Sequence, residues 1–145
     1  MDGIVDIYMP DFKYWDPEMA RKYSKVADYL EVARRTIKEM YRRVGDLVVD
    51  EDGLAKRGLI VRHLVMPENM AGTREVMRWI ARELSPTTYV NVIAQYYPAG
   101  KASRSGYAEI NRRATACEYE EALDEAWRAG LLRLDPRRPA SCGTL

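Results

Sequence analysis

The 145-residue chain has two cysteines and one histidine, and these shortages exclude much cofactor chemistry. Cys117 and Cys142 lie far apart in sequence, form no metal-ligand spacing, and cannot by themselves build a zinc or cluster site. A disulfide is not expected of them in a reducing compartment. His63 stands alone, so a site made of several histidines is excluded as well. With 23 basic and 22 acidic residues, no net field selects nucleic acid or an anionic membrane surface. No apolar run reaches the roughly 18 residues of a membrane span. The N-terminus also lacks the basic-then-apolar order of a signal peptide. The expected location is therefore cytoplasmic. No glycine-rich phosphate loop follows the first strand, which argues against a small nucleotide-binding domain with its own active site.

What is present is an ordinary globular composition, 47% apolar and 31% charged, at a length that makes one domain with a sizeable core. The stretch Ile4 to Trp15 sets the pattern. Its first six residues are mostly β-branched or aromatic and predict a short strand that Met9-Pro10 stops. Side chains alternate along an extended chain, so Val5, Ile7, Met9, Asp11 and Lys13 share a face. Such a face opens into a polar site at its C-terminal end, or else it ends in a solvated loop with an incidental ion pair.

Asp16-Pro17-Glu18 supplies an N-cap, a first-position proline and an acid for a helix. That helix is interrupted near Ala27-Asp28 and resumes through Leu30, Ala33, Ile37, Met40, Tyr41 and Val44, with Gly45 as its stop. Its arginines and lysines form the wet face. Leu47–Val49 and Leu54–Lys56 flank Asp50-Glu51-Asp52-Gly53 and predict a surface hairpin. A second strand runs from Leu59 to Pro67. Thr73 is expected to cap the following helix, whose apolar stripe is Val76, Met77, Ile80, Ala81 and Leu84. A third strand is predicted over Tyr89–Pro98. Thr115 and Glu118 make a capping box for the last helix, with Tyr119, Ala122, Leu123, Ala126 and Trp127 inward. Leu131 to Leu134 are expected to dock, with 135–145 a flexible tail.

Strand and helix alternate three times, the pattern of β/α units around a parallel sheet. In such folds ligands sit beyond the C-terminal strand ends. Asp11 and Lys13 follow the first strand. Arg62 lies inside the second, in phase with Ile60, Leu64 and Met66, where a charge needs a partner or a ligand. A structural ion pair with Asp11 is one reading, and ligand binding is the other. Asn91, Gln95 and Tyr97 share a side of the third strand. His63 points away from Arg62, toward a covering helix, and is expected to be a packing histidine.

Three strand phrases in this order, Ile4 to Trp15, Gly58 to Pro67 and Tyr89 to Pro98, resemble the later strands of radical S-adenosylmethionine proteins. The nearest group is that of pyruvate formate-lyase-activating-enzyme-like proteins, through Asp-Ile-Tyr-Met-Pro-Asp-Phe-Lys-Tyr and the Tyr-Ala-Glu-Ile-Asn-Arg-Arg that starts at Tyr107. The resemblance implies a six-unit partial (β/α) barrel, of which residues 1–134 are the C-terminal half. It further implies that Asp11, Lys13 and Arg62 contact S-adenosylmethionine, and Gln95 and Tyr97, on the polar side of the third strand, are expected to bind the cofactor with them. The family's Tyr-His pair near the adenosine falls on Tyr96 and Tyr97. The family also binds a four-iron four-sulfur cluster through three cysteines, and that loop is absent from this sequence. The chain is therefore expected to be inactive alone and to need an N-terminal half as partner. The alternative expectation is a non-catalytic β/α interaction or ligand-binding module that dimerises through its uncovered face.

Overall fold

The computed structural model describes residues 4–99 and 106–135. The elements in order are β1 (Ile7–Tyr8), α1 (Pro17–Ser24), α2 (Tyr29–Val44), β2 (Val48–Val49), β3 (Ala55–Leu64), α3 (Thr73–Glu83), β4 (Tyr89–Ile93), α4 (Ala116–Arg128) and β5 (Arg133–Leu134). Short 3-10 turns follow β3 at Pro67–Asn69 and precede α4 at Ala108–Ile110. The protein is a mixed α/β fold built on a mostly parallel sheet.

The parallel strands run in the order β1, β3, β4, β5, and β2 joins the start of β3 as an antiparallel hairpin arm. Each parallel strand after β1 is thus added on the same side of its predecessor. Because such crossovers are right-handed, successive helices fall on one face of the sheet. Side chains of α2, α3 and α4 pack there with Leu59, Val61, Val65, Val90 and Val92. Phe12 extends that core beyond β1 and meets the Trp79 ring edge-on at 5.3 Å. A fully buried side chain of this size contributes about 3 kcal/mol through removal from water.

Caps read from the sequence are present at two helices. The Asp16 carboxylate accepts the Glu18 N–H at 2.8 Å, and Thr115 and Glu118 form the reciprocal capping box. The break between α1 and α2 falls where expected, after a left-handed Lys25.

Several expectations need correction. The second hairpin arm and the second strand are one continuous β3, which passes through Gly58. There φ is +121° and a Cβ would collide with the Asp46 carbonyl oxygen, so glycine lets the strand cross that backbone. The third strand ends at Ile93 rather than Pro98, in register with Leu64, the last residue of its neighbour β3. Leu131 to Leu134 do more than dock, because Arg133 and Leu134 form a fourth parallel strand and the Asp135 N–H still bonds to the Val90 carbonyl at 3.0 Å. The rest of the expected tail, 136–145, lies outside the described residues. Trp127 is 48% exposed, since it sits one residue round the helix from the buried stripe of Tyr119, Ala122 and Ala126. Cys117 is held in a disulfide, which the sequence did not lead one to expect.

Candidate functional site at the open sheet face

Alternation along the strands gives the sheet two unlike faces. His63 and Arg62 are sequence neighbours and divide between them. His63 is fully buried against the helices. Its Nδ1 lies 2.7 Å from the Phe12 carbonyl and its Nε2 lies 2.9 Å from the Thr73 hydroxyl. A carbonyl only accepts, so Nδ1 carries the proton and Nε2 accepts from Thr73. Burial pushes the imidazole down to about 4. The packing role expected of His63 therefore has a definite geometry, and it assigns the Thr73 hydroxyl to the histidine. The start of α3 is capped instead by Asn69, whose side-chain oxygen accepts the Thr73 N–H at 3.0 Å.

Arg62 emerges on the other face, with no helix over it. A backbone bridge sets it beside Asp11, fixed by Phe12 N–H to the Arg62 carbonyl at 2.8 Å and Arg62 N–H to the Pro10 carbonyl at 2.9 Å. The Arg62 Nε then lies 3.2 Å from one Asp11 oxygen, and the Lys13 Nζ lies 3.9 Å from the other. On its far side Arg62 stands in register with Asn91 of β4. Acid, amine and guanidinium thus converge on one face near the C-terminal ends of β1 and β3. All three side chains are between a third and a half exposed. The anticipated burial of Arg62 does not occur, so its charge carries no large desolvation cost in this chain.

Tyr29 completes the cluster and was not foreseen, since nothing local marks a residue at the start of α2 as a site neighbour. Its hydroxyl accepts the Lys13 N–H at 2.7 Å and donates to the Asp11 carbonyl at 3.3 Å. Burial holds its phenol above the ordinary value, which keeps that donor protonated. Asp11 and Lys13 are thereby pinned on both sides of the buried Phe12.

Gln95 and Tyr97 lie past the end of β4 and are not joined to this cluster by any hydrogen bond or ion pair among the described residues. They border a separate hollow of about 560 Å³ with Arg113 and Thr115. Tyr97 is 68% exposed, with the Arg113 guanidinium over its ring at 5.3 Å. Tyr96 is committed elsewhere, donating to the Ile110 carbonyl at 2.9 Å. Of the two tyrosines, only Tyr97 presents an open ring.

No family model matches the chain, and no solved structure matches it. A curated relative does. It is the uncharacterized protein MJ0674 of Methanocaldococcus jannaschii, 35% identical over 127 residues, which span 87% of this chain and 32% of the relative. The chain thus corresponds to about a third of that longer protein's length.

The loop after β3 brings a second network to the same end of the sheet. Glu68 and Asn69 both adopt left-handed backbone, with φ of 56° and 55°. Consecutive non-glycine residues in that region cost on the order of 1–3 kcal/mol each unless held. Glu118 holds them by accepting the Glu68 N–H at 2.8 Å. Arg112 grips the same carboxylate with two nitrogens at 2.7 and 2.8 Å. This pairing, helped by backbone N–H donors, draws Glu118 down to about 2 despite partial burial. Among the described residues no group of three or more His, Cys, Asp or Glu side chains could hold a metal ion.

Proposed function

We propose that this chain is the S-adenosylmethionine-contacting, C-terminal portion of a radical S-adenosylmethionine protein of the activating-enzyme-like kind, its sheet being one arc of a partial (β/α) barrel. The observation that supports this most is the convergence of Asp11, Lys13 and Arg62 on the uncovered sheet face. The resemblance assigns these three to the cofactor. A singly wound parallel sheet with α2, α3 and α4 packed on one face is also compatible with a barrel wall, which supports this reading.

The residues fit the ligand's charged end. An amino-acid moiety carries a carboxylate and an ammonium, and the cluster offers two cations and one carboxylate within a few ångströms. Arg62 and Lys13 receive the carboxylate, and Asp11 receives the ammonium or a ribose hydroxyl. Tyr97 offers a ring on which a purine can stack. When bound, the sulfonium supplies an activated carbon–sulfur bond for one-electron chemistry. This chain's contribution is to fix and orient that molecule, because catalysis of this kind depends on holding reacting atoms in line.

The four-iron four-sulfur cluster of the family does not fit the donors here. The sequence has two cysteines where three thiolates are required, and Cys117 is in a disulfide. The cluster therefore belongs to another part of the assembly, and no step of it runs through these residues.

Calorimetric titration with S-adenosylmethionine tests the reading. Binding that Arg62→Ala or Asp11→Asn weakens at least tenfold, about 1.4 kcal/mol, supports it. Equal affinity in the wild type and both variants removes it. A second reading, a non-catalytic module that pairs with itself, draws support from exposed Ile4 and Met9. A monodisperse monomer in sedimentation argues against that version.

A further inference from the structure

We infer that the outer edge of β1, together with the groove beside α2, is the seat of one further parallel β/α unit from the remainder of a longer assembly. The hydrogen-bond phase of β1 defines the edge. Asp6 and Pro10 give their carbonyls to β3, at 2.8 Å to Gly58 N–H and 2.9 Å to Arg62 N–H. Backbone groups alternate sides along a strand, so those of Ile7 and Met9 point away from the sheet. No partner for them occurs among the described residues. The sequence there is β-prone, and only Pro10 interrupts it.

The edge has a natural end. Tyr29 already satisfies the Asp11 carbonyl and the Lys13 N–H, so an added strand is limited to the segment before Pro10. Beside it, Tyr8 of β1 and Arg35, Thr36 and Met40 of α2 border an open groove of about 770 Å³. A parallel strand reaches its neighbour through a helix, and that helix must lie on the face that α2 occupies, against this groove. Arg35 has no acidic partner among the described residues, so the incoming helix is expected to present a carboxylate to it. A second copy of the chain supplies no helix in that place when two edges meet antiparallel. The archaeal relative has the length for the occupant, since the match leaves 68% of it outside (100% less the 32% covered). The identity of the partner as the other half of a barrel rests on the proposed function, whereas the location of the seat rests on edge geometry.

The test co-expresses this chain with the part of the archaeal relative that lies outside the match, and follows assembly without any cofactor. A one-to-one complex that slows amide exchange at Ile7 and Met9 at least tenfold is expected. Ile7→Pro removes an outward-facing N–H and leaves the pairing with β3 intact, so it is expected to keep the wild-type melting curve and weaken the complex at least tenfold. Arg35→Glu is expected to weaken it less. Absence of a complex, protection elsewhere, an Ile7→Pro chain that assembles like the wild type, or a homodimer built on the same edge overturns the inference. A complex that forms but leaves S-adenosylmethionine unbound overturns the proposed function alone.

Discussion

The two faces of one sheet are built from alternate residues of the same strands, and they have opposite fates. On the helix-covered face Phe12, Leu59, Val61, His63, Val90 and Val92 are buried, and the one polar ring has both nitrogens bonded. On the other face the same strands present Ile7, Met9, Asp11, Ile60, Arg62 and Asn91, none of them buried. The covered face is organised for stability, so a change there is felt as unfolding. The open face carries charges that no packing requires, so a change there is felt in what the protein binds.

Truncation should expose this contrast most strongly. Phe12→Ala removes a ring that packs on Trp79 and is expected to cost about 3–5 kcal/mol in urea denaturation. Met9→Ala, on the open face, is expected to change stability by less than about 0.5 kcal/mol. Equal losses would erase the distinction between the faces.

Acid should act through the covered face first. His63 binds its proton at about 4 in the folded chain, against an ordinary value of about 6.5. Between those values the unfolded chain takes up a proton that the folded chain refuses. Stability should therefore be level above pH ~7 and fall by up to about 3 kcal/mol as the pH drops through that window. Glu118 and Glu109, both held at about 2, contribute stability that is lost at lower pH, as it falls from the ordinary carboxylate value toward about 2. Urea midpoints measured at pH 7 and pH 5 isolate the histidine. His63→Gln should flatten that slope while lowering stability at neutral pH.

The open-face pair should matter little to folding. Arg62 and Asp11 are partly exposed, and such pairs are worth under about 1 kcal/mol. Arg62→Ala should leave the urea midpoint nearly unchanged, and a loss of several kcal/mol would mean that the ion pair is structural. A small effect of the opposite sign is expected at the rim. Glu68→Gly relieves a left-handed backbone at the expense of chain entropy, and should raise stability by about 0.5–1 kcal/mol by thermal melting.

How much of this was legible follows from where each signal resides. Local chemistry read well: the Asp16 cap, the Thr115–Glu118 box, the break after α1 and the opposite directions of Arg62 and His63 all depend on spacing along a few residues. Non-local facts did not. The end of β4 is set by where β3 stops offering partners, and β5 exists because β4 has a free edge beside it. Gly58 looks like a strand boundary until Asp46 is seen beside it. Thr73 reads as a cap, but a buried histidine claims its hydroxyl and Asn69 caps in its place. Within the candidate site, Asp11, Lys13 and Arg62 were visible from alternation alone. Tyr29, which pins two of them, was not, and Gln95 and Tyr97 fell into a separate hollow because the strand that would have aligned them ends early.

The most direct test of the account is methyl NMR of the chain as S-adenosylmethionine is added. Ile7, Ile60, Leu64 and Ile93 on the open face are expected to shift together, with Val61, Val65, Val90 and Val92 on the covered face unmoved. Shifts confined to the covered face, or none at saturating ligand, would contradict it.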